Sequence, residues 1–191
     1  MDSFSDEDLM LRLQRDGDGE AFAELFRRHR AGITSYTCRL VRDVNEGENL
    51  AQEAFLRMLQ KRDLYNYPRK LSTWLFTIAR NLVTDYQKKK KAMTSESFDL
   101  MADSQDDGHA WRPDVAAMEE ESLRLLRGAI ASLPPQHREV LVLRAFHDLS
   151  YREIAEIVDC PESTARSRMD YALKELRAVW QRLERKKTGN P

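Results

Sequence analysis

The segment from residue 149 to residue 169 restricts the fold more than any other part of the chain. Ser150 followed by Glu153 has the spacing of a reciprocal capping box, so a helix should begin at Tyr151. Asp159 tolerates the left-handed backbone found at helix ends, and Pro161 can open a second helix but cannot continue the first. Two helices joined by so short a turn predict a helix-turn-helix.

The second helix of this motif has an apolar and a polar side. Apolar residues recur every three or four positions and should face inward, and they are Ala165, Met169, Ala172, Leu173 and Leu176. The other positions hold hydroxyls and long cations near the helix N-terminus, the part that enters a major groove in helix-turn-helix proteins. A solvated helix face is the alternative explanation of the charges. The predicted DNA contacts are Ser163, Thr164, Arg166, Ser167, Arg168, Tyr171 and Lys174.

Length and composition favour a soluble helical protein. The 191 residues can form one large or two small domains, and 41% are hydrophobic. No apolar run approaches the roughly 18 residues that cross a bilayer, and the acidic N-terminus does not resemble a signal peptide. We therefore expect a cytoplasmic protein. Cys38 and Cys160 are isolated, so we interpret both as buried small hydrophobic residues and predict no metal or other cofactor.

Charge is strongly segregated although the net charge is only −1. Residues 1–91 hold 17 Lys and Arg against 14 Asp and Glu, and residues 123–191 hold 13 against 9. Residues 92–122 between them hold 1 cation against 9 acids. The pattern predicts two basic units joined by an acidic tether.

The N-terminal third reads as three helices. Ser5 and Asp8 should cap a helix over 6–15, a second should start at Phe22, and a third should span about 46–61. The third helix has one apolar face and an acidic-polar face near its N-terminus. Helix-dipole complementarity is one explanation of these acids, although it accounts for only one or two of them, and a protein-docking surface is the other explanation.

Residues 62–70 form a predicted loop in which aromatic residues alternate with cations, and Ser72 should cap the helix that follows. Such loops suit unstacked nucleic acid, because bases stack on aromatic rings while cations meet phosphates. Trp74 and Phe76 can equally be core residues. From residue 92 to about 115 helical periodicity fails, which predicts a flexible acidic linker, and helices return from about 116. The predicted fold class is all-α, with two small helical domains.

Three segments resemble the extracytoplasmic-function (ECF, group 4) sigma factors of the sigma-70 family. Asp43–Leu56 is similar to the family's core-binding pattern D-x-x-D-A-E-D-L-x-Q-E-x-F. Thr73–Asp85 resembles the helix that reads and melts the −10 promoter element. Leu133–Leu141 with Leu149–Ala155 resembles the −35-binding domain, and the three segments follow in the family's order.

The resemblance implies a bacterial alternative sigma factor that directs RNA polymerase core to promoters. It implies a polymerase and −10 domain over 1–91, a linker over 92–115 and a −35 domain over 116–187. A basic coiled coil of the polymerase's largest subunit would contact Asp43, Glu46, Glu48, Asn49, Leu50, Gln52, Glu53 and Phe55. Promoter DNA, including one unstacked −10 base, would contact Arg62, Tyr65, Asn66, Tyr67, Arg69, Lys70, Trp74, Asn81, Asp85 and Lys88.

The resemblance also implies regulation by an anti-sigma factor, often anchored in the membrane, that releases the protein under stress. We expect no enzymatic activity, because the sequence has no catalytic triad, phosphate-binding glycine loop or metal-ligand spacing. The main alternative is a stand-alone helix-turn-helix regulator whose N-terminal helices sense a ligand or dimerise. A helical adaptor that binds polymerase without reading DNA is a second alternative.

Overall fold

The computed structural model describes residues 4–96 and 120–187, and all regular structure within these ranges is helical. The chain divides into two compact units. We describe its helices in two groups, the N-terminal unit, α1–α4, and the C-terminal unit, α5–α8. The first four helices are α1 (Asp6–Asp16), α2 (Gly19–Val41), α3 (Val44–Gln60) and α4 (Leu71–Glu96). The last four are α5 (Glu120–Ser132), α6 (Pro135–His147), α7 (Tyr151–Ile157) and α8 (Glu162–Lys187). A 3-10 turn at Arg62–Leu64 lies between α3 and α4.

Local capping sets the helix boundaries of the N-terminal unit. Ser5 and Asp8 form the predicted capping box, with the Asp8 amide 3.0 Å from the Ser5 hydroxyl oxygen. Gly17 ends α1 in the left-handed conformation. The Asp18 carboxylate then accepts hydrogen bonds from the backbone amides of Glu20 and Ala21 in the first turn of α2. Buried residues from all four helices fill one core, among them Leu9, Met10, Leu13, Leu25, Ile33, Tyr36, Met58, Leu71 and Leu75.

The fourth helix differs from its prediction at both ends. It begins at Leu71, and Ser72 does not cap it, because the Glu7 carboxylate of α1 accepts the Leu71 amide at 3.0 Å. It continues to Glu96, five residues past the predicted domain boundary. The remainder of the predicted linker, together with residues 116–119 of the predicted C-terminal domain, lies outside the described residues.

The C-terminal unit contains the predicted helix-turn-helix. The Ser150 amide and hydroxyl both donate to Glu153, at 2.8 and 2.6 Å, which completes the capping box at the start of α7. Asp159 adopts the predicted left-handed conformation, with φ of 51°. Ala165, Met169 and Ala172 of α8 are buried as expected. Leu173 is 45% exposed, so its predicted inward position is wrong, since the buried stripe of α8 follows 165, 169 and 172.

The two cysteines have different environments. Cys38 is buried, and burial raises the pKa of its thiol, whereas Cys160 is half-buried in the turn before α8 and is not the core residue that we predicted. Within residues 4–96 and 120–187, no cluster of side chains suits a metal ion. The helices of this described part are too short or too polar to cross a membrane.

Candidate nucleic-acid and protein interfaces

The exposed side of α3 is a mixed polar and apolar strip. Asp43 caps α3 by accepting the Glu46 amide at 3.1 Å, and Gly47 packs against α2. Beyond the cap, exposed residues recur at helical spacing, and we call this set the α3 strip: Glu48, Asn49, Gln52 and Leu56. Leu56 is 52% exposed and extends the strip by one turn. Leu56 was not among the predicted polymerase contacts, although its i+4 spacing from Gln52 places it on the same side of α3.

Other residues predicted to bind polymerase serve the structure of the unit. Glu46 and Leu50 are half-buried. Glu53 pairs with Arg57 at 2.9 Å, one turn further along α3. Phe55 is only 3% exposed, and its ring packs edge-on against Phe26 with the ring centroids 4.8 Å apart. The polymerase contact of Phe55 stays a prediction, and its ring is part of the core in this structure.

The loop over residues 62–70 is built on a buried tyrosine. Tyr65 is 2% exposed, its hydroxyl donates to the Arg69 carbonyl, and its ring centroid lies 5.4 Å from that of Trp74. Burial, with a smaller contribution from the Glu7 charge, raises the pKa of Tyr65 to about 12, so the phenol stays protonated. Trp74 is 8% exposed. The predicted base contacts of Tyr65 and Trp74 stay predictions, and both side chains are buried in this structure.

The buried Tyr65 side chain determines which neighbouring residues of this loop are exposed. The Arg69 amide donates to the Asn66 carbonyl at 3.0 Å, which closes a turn that begins at Asn66 and has Tyr67 and Pro68 at its tip. Tyr67 is 58% exposed, and Leu64 on the 3-10 turn is 67% exposed. Asn66 and Lys70 are also exposed, whereas Arg62 and Arg69 are half-buried. Asn66 and Tyr67 are thus exposed next to the buried Tyr65, and their contact with a base stays a prediction.

One face of α4 is polar and exposed. Asn81, Asp85 and Lys88 are exposed and lie at i, i+4 and i+7, so they share a side of the helix. The lysines at 88–91 are exposed in the last described turns. A basic end beside polar residues on the same helix suits a nucleic-acid backbone.

The N-terminal part of α8 forms the candidate surface of the C-terminal unit. Ser163, Arg166, Ser167, Tyr171 and Lys174 are exposed, and Thr164 and Arg168 are half-buried. The Ser167 hydroxyl donates to the Thr164 carbonyl within the helix at 3.0 Å. Tyr171 stacks on His137 of α6, with the ring centroids 4.3 Å apart. The outward set predicted from the sequence thus lies along one side of a helix whose other side is core.

Tyr151 organises the cations near the start of α8. The guanidinium carbon of Arg166 lies 4.6 Å from the centroid of the Tyr151 ring, and that of Arg144 lies 5.7 Å away. Arg166 also pairs with Glu162 at 2.5 Å. Tyr151 was not among the predicted contacts, because only the folding of α6, α7 and α8 brings its ring to these two arginines.

Comparison with known proteins agrees with this arrangement. Residues 25–93 match the family described as Sigma-70 region 2, and residues 123–176 match Sigma-70, region 4. The chain is 33% identical over 169 residues to the ECF RNA polymerase sigma factor SigW of Bacillus subtilis, covering 85% of this chain and 90% of SigW. It is 34% identical over 170 residues to the ECF sigma factor RpoE of Cereibacter sphaeroides, covering 88% of this chain and 91% of that protein.

The chain belongs to the ECF sigma factors of RNA polymerase. As a sigma factor it is a transcription initiation factor and not an enzyme, which decides against the stand-alone regulator and the adaptor. Two solved structures share its fold at about one-fifth sequence identity. One is the sigma factor RpoE of Bartonella quintana, with a TM-score of 0.74 and 22% identity, covering 85% of this chain and 98% of that chain. The other is CnrH, with a TM-score of 0.66 and 20% identity, covering 92% of this chain and 97% of that chain.

Proposed function

We propose that this sigma factor divides its work among three surfaces of two domains, over residues 1–91 and 116–187. The α3 strip docks on the coiled coil of the largest polymerase subunit. The 62–70 loop, which we now call the promoter loop, captures a −10 base beside α4, and α8 reads the −35 element. Residues 92–115 connect the two domains.

The observation that carries the proposal is the two-sided build of α8. Ala165, Met169 and Ala172 anchor the helix in the core, and its opposite side exposes cations and hydroxyls directly after the Asp159 turn. A helix held in this way can present its N-terminal side chains to a major groove without rearranging. Arg166 has the reach and fork geometry for a base edge, and Lys174 suits a phosphate.

Each DNA surface alone is expected to bind weakly. Linking two weak contacts raises the local concentration of the second contact once the first has formed. Cations that displace counterions also make the affinity fall steeply with salt. We therefore expect the free chain to bind promoter DNA poorly and the polymerase complex to bind it tightly at low salt.

In vitro transcription with purified core polymerase and a promoter library tests the proposal. Start sites that depend on this protein should share two upstream motifs at a fixed spacing. Arg166→Glu should abolish use of the −35 motif, whereas Arg177→Glu, an exposed charge further along α8, should leave it intact. Transcription without a common pair of motifs, or equal activity of Arg166→Glu, would contradict the assignment of α8.

The α3 strip has its own test. Glu48→Lys and Leu56→Glu should each weaken the affinity for core polymerase by about tenfold, because both side chains are exposed and would meet a complementary surface. Glu20→Lys, an exposed acid on α2, is the matched charge control. Unchanged affinity in Glu48→Lys and Leu56→Glu would exclude this face as the docking surface.

We further propose that an anti-sigma factor holds this protein inactive in the cytoplasm. The supporting observation is that the two structures of the same fold are complexes: RpoE with the anti-sigma factor NepR, and CnrH with the cytosolic domain of CnrY. A partner of this kind, purified with the protein from unstressed cells, should leave when core polymerase is added. A partner that stays bound while the same sigma molecule initiates transcription would contradict this role.

A further inference from the structure

The first helix touches the promoter loop at both of its ends. The Gln14 side-chain amide donates to the carbonyls of Asp63 and Tyr65, at 3.3 and 3.2 Å. The Glu7 carboxylate accepts the Leu71 amide, immediately after the loop, at 3.0 Å. The two contacts therefore enclose the whole segment that presents Asn66 and Tyr67.

The spacing of these two side chains explains how one helix reaches both ends. Glu7 and Gln14 are seven residues apart, so they lie on the same side of α1, two turns or about 10.5 Å from each other. Met10, between them on this side, and Leu13, on the neighbouring side, are buried in the core and fix the orientation of α1. Both side chains are half-buried, and the hydrogen bonds to the Tyr65 carbonyl and the Leu71 amide are partly shielded from water, whereas the one to the Asp63 carbonyl is exposed.

The backbone groups that these residues bind have few alternative partners. The carbonyls of Asp63 and Tyr65 belong to a 3-10 turn and the strand-like residue after it, where regular helical hydrogen bonding has ended. The Leu71 amide is at the first position of α4, where no intrahelical acceptor exists. Side chains of α1 thus complete the hydrogen bonding of a loop that cannot complete its own.

We infer that α1 is a positioning element for promoter recognition, in which Gln14 and Glu7 hold the promoter loop so that Asn66 and Tyr67 meet the −10 base. This inference rests on the proposed function of the loop. Helix α1 lies before residue 25, where the match to Sigma-70 region 2 begins. Base discrimination in this protein therefore depends on residues outside the matched region.

The test compares base discrimination at the captured −10 position among holoenzymes with altered α1. Gln14→Met preserves length and helix propensity but removes the donor, and it should lower the preference for the correct base about fivefold, as expected for two lost hydrogen bonds. Glu7→Met should act similarly, whereas Glu7→Gln retains an acceptor oxygen and should restore most of the preference. Arg15→Met, at the adjacent exposed position of α1, is the matched control.

The readout is binding of labelled single-stranded −10 oligonucleotides that differ only at the captured base, together with core-polymerase affinity and thermal melting. If α1 positions the loop, the ratio of the affinities for oligonucleotides with the correct and the incorrect base should fall, while the affinity for core polymerase stays unchanged. Equal weakening of all four oligonucleotides, or an unchanged ratio, would overturn the inference. Asn66→Ala and Tyr67→Ala distinguish the role of the loop from the role of α1. If these two variants change the ratio of affinities for correct and incorrect bases and Gln14→Met does not, the loop reads DNA but α1 does not position it. If neither changes the ratio, the proposed role of the loop itself is wrong.

Discussion

Replacing Gly47 by alanine should push α3 away from α2 and destabilise the N-terminal unit. A Cβ atom at this position would lie 2.5 Å from Cys38 Sγ, 2.6 Å from Cys38 Cα and 2.8 Å from the Cys38 nitrogen. Carbon atoms in contact normally lie about 3.5–4.0 Å apart, so the helices would have to separate locally by about 1 Å. Two of the three contacts involve backbone atoms, which cannot rotate away as a side chain can.

The expected loss follows from two opposing effects. Overpacking of a core typically costs about 1–3 kcal/mol, and alanine recovers at most about 1 kcal/mol through its higher helix propensity. The separation also lengthens the hydrogen bond from the Thr37 hydroxyl to the Gly47 carbonyl, which is 2.7 Å long and fully buried. We expect the free energy of unfolding to fall by about 1–2 kcal/mol, which lowers the melting temperature by roughly 5–10 °C.

Urea denaturation of the full chain, followed by circular dichroism, measures this loss. Gly19→Ala is the control within the same unit, because a Cβ there meets nothing within 4 Å and should be neutral or slightly stabilising. Adding Cys38→Ala to Gly47→Ala should recover only part of the loss, since the backbone contacts remain. A Gly47→Ala protein as stable as the wild type, or a Gly19→Ala protein that loses as much, would refute the argument. The family's pattern usually has alanine at this position. A loss of stability in Gly47→Ala would therefore also indicate that α2 and α3 of this chain cross more closely than in family members that carry the alanine.

Two further predictions concern charged contacts. Asp6 of α1 pairs with His29 and Arg28 of α2 at 2.6 and 2.8 Å; the hydrogen bond from His29, with a smaller one from Arg28, lowers the pKa of Asp6 to about 2. The lowered pKa of Asp6 contributes stability that is present above about pH 4 and is lost as the pH falls towards 2. Asp6→Asn should therefore lower the free energy of unfolding by about 1 kcal/mol at pH 7. In urea titrations, the difference in stability between Asp6→Asn and wild type should shrink below pH 4. Tyr151→Leu should weaken binding of the −35 duplex by the holoenzyme about three- to fivefold, because no ring is left to orient Arg166. Tyr151→Phe keeps the ring and should bind the duplex with normal affinity. Fluorescence anisotropy measures both affinities. Equal loss in both Tyr151 variants would show that the hydroxyl, and not the ring, is the important group.

Local patterns in the sequence were sufficient to predict the two capping boxes. The boxes at Ser5 and Ser150 involve groups three residues apart, so the sequence contains all the participants. The start of α4 was misplaced because its cap comes from Glu7, which is 64 residues away. No spacing rule along α4 could reveal a partner on another helix.

The promoter loop shows the same limit for function. Aromatic residues between cations have the same sequence pattern whether their rings face a base or the core. In this loop, Tyr65 takes the core position and Tyr67 the exposed one, a difference of two residues that depends on packing against Trp74. The DNA contacts of the exposed residues remain predictions, whereas the core role of Tyr65 follows from the structure.

The acids of α3 now separate into those with structural roles and those available to a partner. Asp43 is occupied as the cap of α3, and Glu53 is paired with Arg57, so local structure accounts for both. The α3 strip that remains contains Glu48 with two amides and Leu56, a surface with one charge and one large apolar side chain. Docking through such a surface should depend on apolar burial more than on charge. Core-polymerase affinity should therefore fall much less steeply with salt than promoter binding does, where many cations meet phosphates.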